Sequence, residues 1–200
     1  MTITLDKISK RYTTGWVLKD IDAVIRSGEK VAITGANGSG KSTLIQIISG
    51  FLSASKGQII YSHLDKKVDR DDIFKFLAIS AAYSELDEEL TIAELYKHYS
   101  LFKPLLIHSL DEFLELTDFR KQKDKEVRYF SSGMKQRLAL GFAFVIDAPL
   151  LLLDEPTSFL DESKKGWYNQ LLEEYTTNKT VIIASNDEKD IINCTSRITL

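Results

Sequence analysis

Cys194 is the only cysteine among the 200 residues of this chain. That excludes an intramolecular disulfide and suits a reducing compartment. The three histidines, His63, His98 and His108, stand at spacings that match no metal-ligand pattern and read as surface or helix residues. Hydrophobic runs long enough to cross a bilayer are also lacking. The nearest, Leu138 to Leu153, is broken by Asp147 and Pro149. It falls short of the roughly 20 residues that a spanning helix requires, and a buried helix followed by a buried strand accounts for it better. The opening MTITLDKISKRY has no apolar core of the secretory kind, so no signal peptide is expected. Net charge is only −3, which supplies no whole-chain attraction to nucleic acid or to an anionic membrane. No nucleic-acid partner is expected. Internal repeats and low-complexity segments are missing as well. What is present is 44% hydrophobic and 28% charged, the balance of a soluble globular chain. Its length allows one domain, or one domain carrying a substantial insertion.

The stretch around which the rest is organised is GANGSGKST, Gly35 to Thr43. A short apolar run, Val31 to Thr34, precedes it, and the amphipathic STLIQIISGFL follows. Strand, glycine-rich turn and helix form the context of a phosphate-binding loop. Gly35, Gly38 and Gly40 allow a tight turn and a close backbone approach to an anion. Successive N–H groups and the positive end of the helix then face that anion. Lys41 is expected to reach the outer phosphates, and the Ser42 hydroxyl to sit on Mg²⁺.

Residues 1–34 alternate as strands, with Arg26 to Glu29 as a turn. QIIYS is expected to return as a strand, residues 63–72 to form a solvated charged loop, and FKFLAIS to be another buried strand. From about Ser84 to Asp147 the period becomes helical: Ile92, Leu95 and Tyr96, then Leu110, Phe113 and Leu114. Thr91 and Ser109 are expected N-caps, the first with Glu94 three residues on. The run from Arg120 to Arg128 reads as a solvated loop. Strand–helix alternation resumes at Leu150, with a helix over Glu162 to Tyr175, the strand TVIIAS, and a short helix and strand at the end. Alternation of this kind predicts an α/β fold with a largely parallel sheet covered on both faces.

Four consecutive leucines, Leu150 to Leu153, cannot make a one-faced strand, so this strand is expected in the middle of the sheet. Asp154 stands where it emerges, at the carboxyl edge where ligands bind in such sheets. It is the expected metal-side carboxylate. Glu155 points the other way and is the candidate base for an attacking water.

The series KRYTTGWVLKDI, GANGSGKST, FSSGMKQR (Phe130 to Arg137), LLLLDEP and SFLD (Ser158 to Asp161) resembles, in order, the motifs of the nucleotide-binding subunit of ATP-binding-cassette (ABC) transporters. The resemblance covers nearly the whole chain. It implies a P-loop NTPase core with an amino-terminal antiparallel β subdomain: one ABC ATPase domain, with the β/α core at 1–83 and 148–200 and a helical subdomain at 84–147. By resemblance, Gly35, Asn37, Gly38, Ser39, Gly40, Lys41, Ser42 and Thr43 hold ATP, with Ser42 and Asp154 on Mg²⁺. Tyr12 stacks on the adenine, with Trp16 as its substitute. Ser131, Ser132 and Gly133, opening a helix to about Ile146, and Asp161 of the D-loop meet ATP bound on a second copy, in an isologous two-fold dimer. A separate transmembrane permease is implied, docked on the helical insertion near Ala82 to Leu90. So is a cytoplasmic location, peripheral on the cytoplasmic face of the membrane.

Three places depart from the family pattern. Near Ala82, where the family carries a glutamine that touches Mg²⁺, there is none, and Tyr83, Ser84 or Glu85 is the candidate substitute. Asn186 stands for the family's histidine at the γ-phosphate; it can donate a hydrogen bond but carries no charge. The signature has Ser132 for glycine and Met134 for glutamine. Slow hydrolysis through Glu155 is therefore expected. The alternatives are a soluble, non-transport ABC-type ATPase or an ATP sensor with little turnover. The chain stops at SRITL, where the family usually continues, so a terminal strand is expected to be cut short.

Overall fold

A computed structural model describes residues 1–81 and 86–200; Ala82, Tyr83, Ser84 and Glu85, and the expectations placed on them, lie outside it. Two sheets carry the architecture. β1 (Thr2–Tyr12) and β2 (Gly15–Ile25) form a long hairpin. β4 (Lys56–His63) pairs antiparallel with β1, and β5 (Lys66–Val68) with β4, giving the order β2-β1-β4-β5. The second sheet is parallel throughout. It contains β3 (Lys30–Thr34), β6 (Leu77–Ser80), β7 (Leu150–Asp154), β8 (Thr180–Ala184) and β9 (Ser196–Thr199), in the order β6-β7-β8-β3-β9.

The leucine run behaves as its pattern requires. Leu150 and Leu152 pack with α1 (Lys41–Ile48) and the antiparallel sheet, in one cluster with Leu44, Ile48, Ile3 and Tyr61. Leu151 and Leu153 face the other way, toward Leu140 and Phe144 of α4 (Ser132–Val145) and Tyr168 and Leu172 of α5 (Glu162–Glu174). All four are fully buried. A strand flanked by β6 and β8 and covered on both faces leaves no position for a polar side chain until the chain emerges at Asp154.

Between β6 and β7 a third cluster forms around Ile92, Leu95, Phe113, Phe119, Val127, Phe142 and Val145. It involves α2 (Ile92–Phe102), α3 (Leu110–Leu116) and the inner face of α4. Both caps are where the sequence puts them. Ser109 accepts from the Glu112 N–H. Thr91 accepts from the Glu94 N–H while the Glu94 carboxylate takes the Thr91 N–H at 2.8 Å, a complete capping box. Thr91→Ala removes one half of it and is expected to cost about 1 kcal/mol. In a chain of this size that lowers the melting temperature by roughly 2–4 °C, measurable by circular dichroism. An unchanged melting curve would show that this end of α2 frays in solution.

Four expectations are corrected. The run 63–72 is not simply a loop: β5 closes a two-residue hairpin at Leu64 and Asp65, both at positive φ, and a 3₁₀ segment, Arg70–Phe76, follows. The turn carries neither of the glycine or asparagine signals that usually mark it. Phe74 to Phe76 belong to that 3₁₀ segment, so the strand starts at Leu77 and Phe74 is exposed. The run 120–128 includes two short 3₁₀ turns and buries Val127 completely. Finally, 187–193 folds as successive turns rather than a helix, because the Asp190 side chain is drawn inward by the Ser185 hydroxyl of its own loop and the Thr157 hydroxyl of the loop after β7.

Candidate nucleotide site

β3 delivers Gly35 to the carboxyl edge of the parallel sheet, and the loop then wraps into α1. Gly35, Gly38 and Gly40 all have positive φ (149°, 81° and 105°). Two of them are also sterically committed. A Cβ on Gly35 would lie 2.6 Å from the Ser39 hydroxyl, and one on Gly40 would lie 2.8 Å from both Leu18 and Val17 side chains. The N-cap residue of α1 is Gly40, which has no side chain to cap the helix. Its first N–H groups therefore face the loop's concavity, as an anion site demands.

Lys41 is only 6% exposed. Its ammonium donates to the Gly35 carbonyl at 3.0 Å and lies 3.5 Å from a Glu155 carboxylate oxygen. Val17, Asn37, Gly38, Gly40, Lys41, Ser42, Thr43 and Glu155 line one cavity of about 440 Å³. Glu155 is itself at φ 48°, a left-handed conformation that is unusual for glutamate and clusters at functional sites. Its N–H donates to Ala184 of β8, and its carbonyl accepts from the Ser158 N–H and hydroxyl. Burial raises the Glu155 pKa, against the neighbouring Lys41 charge.

Asp154 is 4% exposed, and its Oδ1 has no hydrogen-bond partner among the described residues. Burial pushes its pKa up, while the bonded Ser42 hydroxyl and the Lys41 charge pull the other way. A buried, under-satisfied carboxylate beside a hydroxyl is an all-oxygen donor set, and it fits a hard divalent cation such as Mg²⁺.

Asn186, from the loop after β8, reaches across the P-loop. Its Nδ2 donates to Asn37 Oδ1 at 3.1 Å, and its Oδ1 accepts from the Gly35 N–H at 3.4 Å. Tyr12 ends β1 at 41% exposure, with the Lys10 ammonium 5.4 Å from its ring centroid. Trp16 lies under two cations, Arg11 at 5.8 Å and Lys56 at 5.3 Å. Its ring is the more encumbered of the two.

Ser131 caps α4 by accepting from the Met134 N–H, so the signature residues do open a helix. They do not line the P-loop cavity. They pack instead against the segment that follows β7 in their own chain: a Cβ on Gly133 would meet the Phe159 carbonyl of the D-loop at 2.7 Å, and Gln136 donates to the Pro156 carbonyl. Asp161 is turned to α5, capping it through the Lys164 N–H and accepting from Ser163. Sequence reasoning missed Val17 and Asp190. Val17 sits in an ordinary strand pattern, and Asp190 lies among exposed acids that look alike in sequence.

A parallel sheet with a glycine loop feeding a helix N-terminus, a buried lysine and a strand-end aspartate defines a P-loop nucleotide-binding protein. A sequence profile described as ABC transporter matches residues 18–158. The chain belongs to the ABC transporter family, as one of its ATP-binding cassettes. It is 28% identical to the sulfate/thiosulfate import ATP-binding protein of Halalkalibacterium halodurans, over 99% of this chain and 58% of that protein. It is 32% identical to an energy-coupling factor transporter ATP-binding protein of Clostridium perfringens, over 92% of this chain and 69% of that one. The chain thus spans a little over half to two thirds of the length of these relatives. Among solved structures, a bacterial ABC transporter cassette in dimeric form superposes with a TM-score of 0.85 at 26% identity, covering 99% of this chain and 94% of that one. A post-hydrolysis dimer of an ATP-binding cassette bound to ADP and Pi superposes at 0.83 and 25% identity, covering 99% and 94%.

Proposed function

We propose that this chain binds Mg-ATP, closes on a second copy of itself, hydrolyses the nucleotide and thereby drives a separate transmembrane subunit. The observation that carries the reading is the meeting of Lys41, Ser42 and Glu155 at one cavity from two distant segments, with the buried Asp154 beside Ser42 and Lys41. Gly35, Asn37, Gly38, Ser39, Gly40 and Thr43 supply the phosphate cradle, and Tyr12 the adenine platform. Ser42 and Asp154 hold Mg²⁺, which when bound neutralises charge on the phosphate oxygens. Glu155 orients the attacking water and takes its proton. Asn186 donates its amide N–H to a γ-phosphate oxygen, giving up its bond to Asn37. Ser131, Ser132 and Gly133, with Asp161, face the ATP bound on the partner copy. ATP favours the closed pair because it touches both chains only there.

The supports for a transport role are family membership and the relatives named as transporter ATP-binding proteins. Among the described residues no helix is long and apolar enough to cross a membrane. A permease on another chain, met on the cytoplasmic face by the helical insertion near Ala82 to Leu90, completes the reading. A second reading is an ATP sensor with little turnover, favoured by the uncharged Asn186 at the γ-phosphate position. Light scattering on purified protein tests the closure. With Mg-ATP, Glu155→Gln is expected to run as a dimer, and with ADP as a monomer. A monomer under both conditions would sink the sandwich.

A further inference from the structure

One buried carboxylate near this site has no part in the chemistry so far. Asp190 is 2% exposed. Its Oδ1 accepts the Thr157 hydroxyl at 2.6 Å and its Oδ2 the Ser185 hydroxyl at 2.7 Å. Its backbone carbonyl accepts the Tyr168 hydroxyl of α5 at 3.2 Å. Thr157 and Ser185 are themselves 3% and 0% exposed. Thr157 stands two residues after Glu155, and Ser185 immediately precedes Asn186. The Ser185 oxygen also accepts the Asp187 N–H at 3.0 Å.

The two loops leave adjacent strands, β7 and β8, and each carries one residue assigned to the reacting phosphate. Glu155 holds a left-handed φ, and such a conformation persists where surrounding contacts over-determine it. Two ties come from nearby: the Glu155 N–H to Ala184 and the Ser158 bonds to the Glu155 carbonyl. The Thr157–Asp190 bond anchors the turn from the far side. Each hydroxyl has a single proton and gives it to the carboxylate, which only accepts. Bonds of that length to an ionised group are strong and directional. An amide at position 190 would offer one acceptor and one donor, leaving a buried hydroxyl proton without an acceptor.

We propose that Asp190 is a positioning residue that clamps the Glu155 turn to the Asn186 loop, so that the two move as one unit during the ATP cycle. The proposal rests on the roles given above to Glu155 and Asn186.

Amide hydrogen exchange and steady-state hydrolysis on the full chain test it, with Thr157→Val, Ser185→Ala and Asp190→Asn. Thr157→Val is expected to speed exchange at the Asp187 amide, on the other loop, and Ser185→Ala to speed it at the Ser158 amide, each by about tenfold. Small misplacements of reacting groups are costly, so both should lower kcat by about tenfold or more while KM for ATP stays within about twofold. Thr157→Ser keeps the hydroxyl and should restore both readouts. If each substitution disturbs only its own loop, or kcat is unchanged, the clamp is overturned. Should Asp190→Asn fail to fold, the two single-arm variants still decide. Glu155→Gln in the same assay separates the two claims. Wild-type turnover in that variant defeats the base assignment, while the cross-loop exchange continues to judge the clamp on its own.

Discussion

Glu155→Gln is expected to lower ATP turnover by about 10²–10⁴-fold, the usual contribution of a positioned base, and to leave ATP affinity at or above wild type. Glutamine has the same length and keeps an oxygen facing the Lys41 ammonium, which lies 3.5 Å from the Glu155 carboxylate, so the cavity keeps its shape. What disappears is the group that can take a proton from water. One negative charge facing the phosphates goes with it, which is why affinity should not fall. The pH profile provides a second check. Burial first of all raises the Glu155 pKa above the ordinary carboxylate value, opposed by Lys41. A base works only when deprotonated, so the rate should fall as pH drops through that raised pKa, at a pH above the ordinary glutamate range. That acidic limb should be missing from the residual rate of the glutamine variant. A variant as fast as wild type would move the base elsewhere.

Lys41→Ala is expected to weaken ATP binding by about 100-fold, from the loss of one or two charge-assisted bonds to phosphate at about 1.5–3 kcal/mol each. Calorimetric titration with ATP and Mg²⁺ reads it. Lys41 is nearly buried, and among the described residues its ion-pair partner is Glu155. Its ammonium is thus held in place before any phosphate arrives and need not be ordered on binding. Alanine also leaves the raised carboxyls of Glu155 and Asp154 without the positive charge that now opposes their protonation. The variant should fold, because the Gly35 carbonyl that loses its donor is only part-buried and water can replace the ammonium there. ATP affinity within about twofold of wild type would remove Lys41 from the phosphate site.

Local patterns were readable wherever the cause is local. The capping box at Thr91 and Glu94 spans a single helical turn. The turn at Arg26 to Glu29 closes with a bond between its own ends. The hairpin at Leu64 and Asp65 was not readable, because leucine at positive φ carries no turn signal and is held there by the pairing of the strands it joins. The final turns at 187–193 were misjudged for a related reason. A helix there would carry Asp190 away from Thr157 and Ser185, and those hydroxyls lie 33 and 5 residues away.

The site divides along the same line. Alone, the sequence determined that a glycine loop leads from a strand into a helix, that Leu150 to Leu153 is covered on both faces, and that Asp154 follows it at the carboxyl edge. These follow from backbone sterics, side-chain period and the absence of any polar position in the strand, all of which act over a few residues. Only the tertiary structure decided the strand order β6-β7-β8-β3-β9. That order sets Glu155 against Lys41, joins Asn186 to Asn37 across 149 residues, and closes Thr157 and Ser185 on one buried carboxylate. Hydrogen bonds of 2.6–3.1 Å carry no trace in the local pattern of either partner. They exist because a parallel sheet brings the carboxyl ends of its strands to one edge, whatever their separation in the chain.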